Sequence, residues 1–150
     1  MPDAVRAVLL EELARGRFGA GLADAPEGVQ AHRRSPSCGD EFTVRVVVTG
    51  TAPDAAIQSL HWDGHGCVVS TAAAATLAQL AVGVATRAFP ALAERYLATL
   101  EADAMPDPEL GDAEAFAGIG RFPMRAGCAS LAWRTALDAL AAGRASASKA

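Results

Sequence analysis

The feature that most constrains the fold of this chain is a set of three cysteines placed far apart. Cys38, Cys67 and Cys128 are separated by 29 and 61 positions, and no two of them form a C-x-x-C pair. A zinc ribbon or thioredoxin motif is therefore excluded, and only a complete fold can bring the three thiols together. An odd number of cysteines also argues against a disulfide framework and favours metal ligands or a nucleophile in a reducing compartment.

A carboxylate accompanies the first cysteine. Asp40 follows Cys38 by two positions, and Gly39 between them permits a bend that aims sulfur and carboxylate at one centre. Three thiolates and one carboxylate make a four-ligand set for a soft divalent metal such as zinc. With Zn²⁺ the set has a formal charge of roughly −2, and Arg125, close to Cys128 in sequence, would offset part of it. As the hardest of the four ligands, Asp40 is expected to be the easiest to displace.

The predicted helix starts give two of the thiols a further property. Cys67 and Cys128 each fall at or just before a predicted helix start, where unpaired N–H groups and the helix dipole favour negative charge. Both are therefore expected to favour the thiolate form, which binds metals and attacks sulfur.

Simpler interpretations of these residues remain open. A lone cysteine is often a small apolar filler, Asp40 could cap a turn, and Arg125 could be a solvated charge. His65 lies between two glycines and is either a further ligand or an exposed loop residue. His32 and His61 occupy ordinary strand or loop positions.

The hydrophobic pattern predicts a helix, then a sheet, then further helices, in one domain spanning residues 1–150. The predicted elements are a helix over 4–15, an edge strand over 29–33, a hairpin of strands over 43–48 and 55–62, helices over 70–81, 90–102 and 128–142, and a helical turn over 112–117. Ser70 or Thr71 is the expected N-cap of the 70–81 helix, and Gly143 is expected to end the last helix. Trp133 and Leu137 are expected in the core, and residues 1–3 and 143–150 are expected to be frayed.

Composition excludes several classes of function. The net charge of −4 and the absence of a basic stripe argue against nucleic-acid binding. The longest apolar tract, residues 68–85, is mostly alanine and threonine and is too weakly hydrophobic to span a membrane. The N-terminal segment has no apolar run of the kind found in signal peptides, so a cytoplasmic protein is expected.

Three segments carry a resemblance to a known family. They are Pro36-Ser37-Cys38-Gly39-Asp40, Gly64-His65-Gly66-Cys67-Val68-Val69-Ser70, and the long block from Leu110 to Trp133. In these segments the chain resembles the SufU proteins, relatives of the iron-sulfur scaffold IscU and of NifU. The resemblance implies an α+β fold, in which a three-stranded antiparallel sheet packs against several helices, and a zinc ion held by the residues matching Cys38, Asp40, Cys67 and Cys128.

The same resemblance implies an activity. SufU-like proteins are zinc-dependent sulfurtransferases that accept persulfide sulfur from a SufS-type cysteine desulfurase and pass it to a SufB-containing cluster assembly complex. Cys38 is the expected sulfur acceptor, released when a desulfurase histidine replaces it on the metal, and Arg125 is expected to act beside it as a catalytic residue.

Two alternatives are kept beside the sulfurtransferase. One is an iron-sulfur cluster scaffold of the IscU type, and the other is a small protein with a purely structural zinc. The long stretch between Cys67 and Cys128, and Gly127 in place of the histidine usual in scaffolds, favour the SufU type. Residues 15–21 lack the His-Tyr and Pro-Arg-Asn pattern common in this family, and Ser35 replaces the usual asparagine.

Overall fold

A three-stranded antiparallel sheet packs on one face against helices, and the N-terminal helix packs against one of those helices rather than on the sheet, which confirms the α+β class. The structure is a computed structural model that describes residues 1–149, with side chains described for residues 1–144. In chain order the elements are α1 (Asp3–Gly16), β1 (Val29–Arg34), β2 (Glu41–Thr49), β3 (Ala56–His65), α2 (Val68–Ala81), α3 (Phe89–Thr99), two short 3₁₀ helices (Pro108–Phe116 and Ile119–Arg121) and α4 (Pro123–Lys149).

The sheet is a meander in the order β1-β2-β3, as the alternating pattern of the sequence predicted. Phe42, Val44 and Val46 of β2 point to one face and are fully buried, while the residues between them are only partly buried. In the register, Val44 faces Trp62 of β3 and Val46 faces Val29 of β1. Because helices pack on the face that carries these side chains, the opposite face of the sheet is left to polar residues.

Helices α2 and α4 cover the inner face of the sheet. Helix α2 is buried almost all round, which its run of alanines allows because small side chains let neighbouring elements approach closely. Trp133 of α4 is fully buried, as predicted, and stacks on Tyr96 with ring centroids 4.1 Å apart. The Tyr96 hydroxyl donates a hydrogen bond to the Ala129 carbonyl at 2.7 Å. Leu137, which was also expected in the core, is only half-buried.

Among the described residues, no helix combines the length and the apolar character that crossing a membrane needs.

The start of α2 and the end of α3 differ from the predicted boundaries. Helix α2 begins at Val68 with Cys67 as its N-cap, so neither Ser70 nor Thr71 takes that role. Helix α3 ends at Thr99 rather than at residue 102, because the chain tightens there and the N–H of Leu100 donates to the Leu97 carbonyl. The helical turn predicted over 112–117 belongs to a longer 3₁₀ segment that begins at Pro108.

Helix α4 is longer than predicted at both ends. It begins at Pro123, a residue whose fixed φ suits the first helical position, and the Phe122 carbonyl accepts from the N–H groups of Arg125 and Ala126. It continues past Gly143 to Lys149, so Gly143 does not end the helix. The expected fraying of residues 1–3 and 143–150 stays a prediction, and residue 150 lies outside the described residues.

Gly143 is required for the close packing of α4 against β1 and not for ending the helix. A Cβ at this position would lie 2.5 Å from Cγ1 of Val29 on β1. Glycine therefore lets α4 approach the edge strand of the sheet more closely than any other residue would.

This packing predicts the effect of Gly143→Ala. Alanine favours a helix by about 1 kcal/mol over glycine, but overpacking against Val29 costs about 1–3 kcal/mol. We expect Gly143→Ala to lower the free energy of unfolding, measured by urea denaturation. In a Val29→Ala background, where space is available, the same substitution should cost much less. A more stable Gly143→Ala single variant would contradict this packing.

Candidate metal centre

The loop between β1 and β2 presents the first two candidate ligands. Two backbone hydrogen bonds close it, from the Ser35 N–H to the Asp40 carbonyl at 2.8 Å and from the Gly39 N–H to the Ser35 carbonyl at 3.0 Å. Gly39 has a φ of +76°, a conformation that glycine adopts without strain. Cys38 is consequently exposed at the turn, while Asp40 is half-buried at the entry to β2.

Asp40 joins this loop to the start of α2. Its Oδ2 accepts hydrogen bonds from the Cys67 N–H at 3.2 Å and from the Ser70 hydroxyl at 2.9 Å. Partial burial by itself would raise the pKa of Asp40. The hydrogen bonds from the Cys67 N–H and Ser70, with weaker ones from the thiols of Cys67 and Cys38, outweigh burial and lower the pKa below its usual value. The carboxylate is therefore held both in position and in its charged form.

Two glycines allow this close approach. A Cβ at Gly66 would overlap the Ser70 hydroxyl oxygen and lie 2.9 Å from Oδ2 of Asp40. A Cβ at Gly64, where φ is +150°, would overlap the backbone carbonyl of Glu41 on the paired strand. The sequence Gly-His-Gly-Cys thus brings β3 and the start of α2 against the Asp40 loop.

Cys67 lies at the N-cap of α2, just ahead of a helix as predicted. Its sulfur accepts from the Ser70 N–H at 3.5 Å and lies 3.6 Å from the Ser70 hydroxyl. Ser70 therefore contacts both Asp40 and Cys67, a role that the sequence analysis missed. One sequence signal for this role was available. Ser70 is the third helical residue after the N-cap, a position whose side chain commonly bonds back to the cap residue.

Cys128 is placed differently from the prediction. Since α4 begins at Pro123, Cys128 lies more than one turn inside the helix, beyond the free N–H groups of the helix start, and it is buried. Burial is the main cause of its raised pKa, followed by a hydrogen bond with Cys67 and by the negative charges of Cys67, Cys38 and Asp40. The predicted preference of Cys128 for the thiolate form is therefore wrong for the metal-free protein, because burial and the neighbouring negative charges oppose ionisation.

The candidate ligands nevertheless converge. One potential ligand atom from each of Cys38, Asp40 and Cys128 lies within 4.8 Å of the other two, and Cys67 contacts both Asp40 and Cys128. Sulfur ligands of one zinc ion, each about 2.3 Å from the metal, stand roughly 3.8 Å apart. The spacing of Cys38, Asp40 and Cys128 is near that of a coordination shell, whereas the Cys67 sulfur lies outside this group of three. All four residues line one open cavity of about 570 Å³. Such a set of donors could hold a soft divalent metal.

Two other predicted site residues lie near this cavity. Arg125 lines it from the first turns of α4, and its guanidinium carbon lies 5.3 Å from the centre of the Phe122 ring. His65 is exposed at the end of β3, with Nε2 3.7 Å from Glu41, and is outside the group of converging ligand atoms.

The sequence of this chain is similar to those of several known proteins. The NifU-like N terminal domain family matches residues 14–129. The chain is 31% identical over 121 residues to the iron-sulfur cluster assembly scaffold protein IscU of Streptococcus pyogenes serotype M1, covering 80% of this chain and 72% of that protein. It is 25% identical over 109 residues to the zinc-dependent sulfurtransferase SufU of Bacillus subtilis, covering 72% and 71%.

The fold is also found among solved structures. The crystal structure of a putative iron-sulfur cluster assembly scaffold protein for the SUF system from Fervidobacterium islandicum AW-1 superposes with a TM-score of 0.69. The match covers 88% of this chain and 93% of that chain at 22% sequence identity, so it supports the fold alone.

Two glycines that each precede a cysteine provide a matched test of the site. Gly66→Ala should displace Asp40, because the new Cβ would overlap Ser70 and crowd the carboxylate. We expect it to weaken zinc binding at least about tenfold in a competition with a chromophoric chelator, the range seen when residues that support metal ligands are changed. Gly127→Ala, before Cys128, meets open space and should leave the affinity unchanged. Equal losses in both variants would contradict the site as described.

Proposed function

Because the chain belongs to the NifU-like N-terminal domain family of iron-sulfur cluster assembly proteins, we propose that it is a zinc-dependent sulfurtransferase of the SufU type. In this proposal it accepts persulfide sulfur from a SufS-type cysteine desulfurase and passes it to a SufB-containing cluster assembly complex. The observation that supports the proposal best is the convergence of Cys38, Asp40, Cys67 and Cys128 on one cavity.

The four residues fit zinc by the chemistry of their donors. Three sulfurs and one carboxylate oxygen complete a tetrahedral site without further protein ligands. Zinc, when bound, keeps the thiols deprotonated at neutral pH and protects them from oxidation until a partner docks. Cys67 and Cys128 are suited to remain in place, because one caps α2 and the other is buried within α4.

Cys38 is the residue best placed to leave the site and react. Asp40 was expected from its hardness to be the easiest ligand to displace, but two hydrogen bonds to its Oδ2 hold it in place. Cys38 is exposed on a turn, where a docking partner can reach it. Its thiolate would attack the outer sulfur of the desulfurase persulfide, forming a new S–S bond while the desulfurase cysteine departs as a thiolate.

Arg125 is proposed to assist at the edge of the same cavity. The cluster has excess negative charge even with zinc bound, and a guanidinium nearby lowers the cost of gathering three thiolates. The Arg125 guanidinium lies over the Phe122 ring, and Arg125 is exposed. Its N–H groups are available to a docking partner or to the desulfurase thiolate that departs when sulfur is transferred.

The second candidate function is that of an iron-sulfur cluster scaffold. The observation in its favour is that the chain is 31% identical to the IscU scaffold and 25% identical to SufU. A scaffold would assemble a cluster on the same cysteines, with an absorbance in the visible range after anaerobic reconstitution with iron and sulfide. The residue before Cys128 is glycine, which offers no side-chain donor, so the described ligand set stays at three thiols and one carboxylate. This composition fits one zinc ion and supports the sulfurtransferase.

The deciding experiment measures desulfurase turnover with purified protein. The wild-type protein, colourless and with about one zinc per chain, should raise turnover by at least about tenfold, since sulfur removal then has an efficient acceptor. Cys38→Ala should abolish the effect. Ser37→Ala, in the same loop, is the matched control and should retain it.

Four outcomes would decide against the sulfurtransferase. Unchanged turnover with the wild-type protein, or full stimulation by Cys38→Ala, would remove the proposed function. A stable cluster that transfers to an apo-acceptor would favour the scaffold. A structural zinc would show itself if Cys38→Ala and Asp40→Ala lowered only the melting temperature and mass spectrometry found no sulfur added to any cysteine.

A further inference from the structure

All three histidines of this chain lie on the outer, polar face of the sheet. His32 is on β1 and His61 and His65 are on β3, in register with the residues of β2 that point away from the core. Glu41 of β2 points to the same face and is paired directly with His65. The thiol cavity does not include the histidines or Glu41.

Glu41 brings two of these histidines together. The Nε2 atom of His32 lies 3.3 Å from one carboxylate oxygen of Glu41, and the Nε2 atom of His65 lies 3.7 Å from the other. His61 is not part of this group, because its Nε2 is hydrogen-bonded to the hydroxyl of Ser59 at 2.9 Å. Glu41 therefore lies between two imidazoles at one end of the sheet, although the three ligand atoms do not all lie within 4.8 Å of one another.

Thr43 orients one of the imidazoles. Its hydroxyl lies 2.9 Å from Nδ1 of His32, directly across the strand pair. When Nδ1–H donates to this hydroxyl, the lone pair of Nε2 faces the Glu41 side. Histidines that bind metals usually have their second nitrogen fixed in this way, because the hydrogen bond selects the tautomer and the ring orientation.

We propose that His32, Glu41 and His65 bind a divalent cation at a second site, distinct from the thiol cavity. Two imidazole nitrogens and a carboxylate suit zinc, nickel and cobalt, and they discriminate against calcium and magnesium, which prefer all-oxygen sites. Water completes the coordination shell. The inference is independent of the sulfurtransferase proposal, since it needs neither the thiols nor a desulfurase.

The side chains have the freedom to close around an ion. Those of His32, Glu41 and His65 are 52%, 35% and 73% exposed, so their rotation is not resisted by core packing. The nearby cation Arg34 is opposite Glu41 in the register, but its guanidinium extends toward Gly39 of the neighbouring loop. Asp63, opposite Thr43, adds negative charge to the same face.

The test is a cobalt titration, at fixed neutral pH, of protein loaded with one equivalent of zinc, with zinc content checked before and after. The wild-type protein should bind about one Co²⁺ per chain while retaining its zinc, with weak visible bands and no near-ultraviolet charge transfer from thiolate. His32→Gln and His65→Gln should each weaken cobalt binding at least about tenfold, and Thr43→Val should weaken it less. His61→Gln is the matched control and should bind as the wild type does.

Three results would contradict the second metal site. No cobalt bound by zinc-loaded wild-type protein, or cobalt bound only with displacement of zinc and a thiolate band, would overturn the second site. A loss in His61→Gln as large as that in His65→Gln would show unspecific binding by a histidine-bearing face. Because the substituted residues lie on the outer face, circular dichroism should show all variants folded, and an unfolded His32→Gln would be replaced by His32→Asn.

Discussion

The carboxylate of Asp40 is the interaction on which the candidate site depends. By accepting from the Cys67 N–H and the Ser70 hydroxyl, it ties the loop after β1 to the start of α2, although the two lie about thirty residues apart in sequence. Gly66 leaves the space for this contact. Once the loop is held there, Cys38 and Cys67 line the same cavity, to which α4 contributes Cys128.

Bringing these groups together creates an electrostatic cost that a cation removes. In the metal-free protein, burial and the neighbouring acidic groups raise the pKa of Cys128, so its thiol resists ionisation. A divalent ion reverses this balance, because it stabilises every thiolate that it touches. Metal binding and folding are therefore expected to support each other, with a rigid part formed by Cys67 and Cys128 and an accessible part formed by Cys38.

The sequence was most informative where spacing and alternation carry the signal. The three-stranded sheet, the buried position of Trp133 and the residues gathered at the cavity were predicted, because period-two patterns and glycine-flanked cysteines are local features. The last helix was predicted to begin at residue 128, whereas α4 begins at Pro123, and the error carried over to Cys128. Gly143 was taken for a helix end, since its contact with Val29 depends on the tertiary structure. The role of Ser70 was missed for the same reason.

The central claim is that three sulfurs and the oxygen of Asp40 surround one ion. Zinc-edge X-ray absorption of protein loaded with a single equivalent of zinc tests it most directly. We expect a shell of three sulfurs at about 2.3 Å and one oxygen at about 2.0–2.2 Å, with one sulfur lost in Cys38→Ala. A shell of nitrogen and oxygen alone, or a sulfur count that Cys38→Ala leaves unchanged, would contradict it.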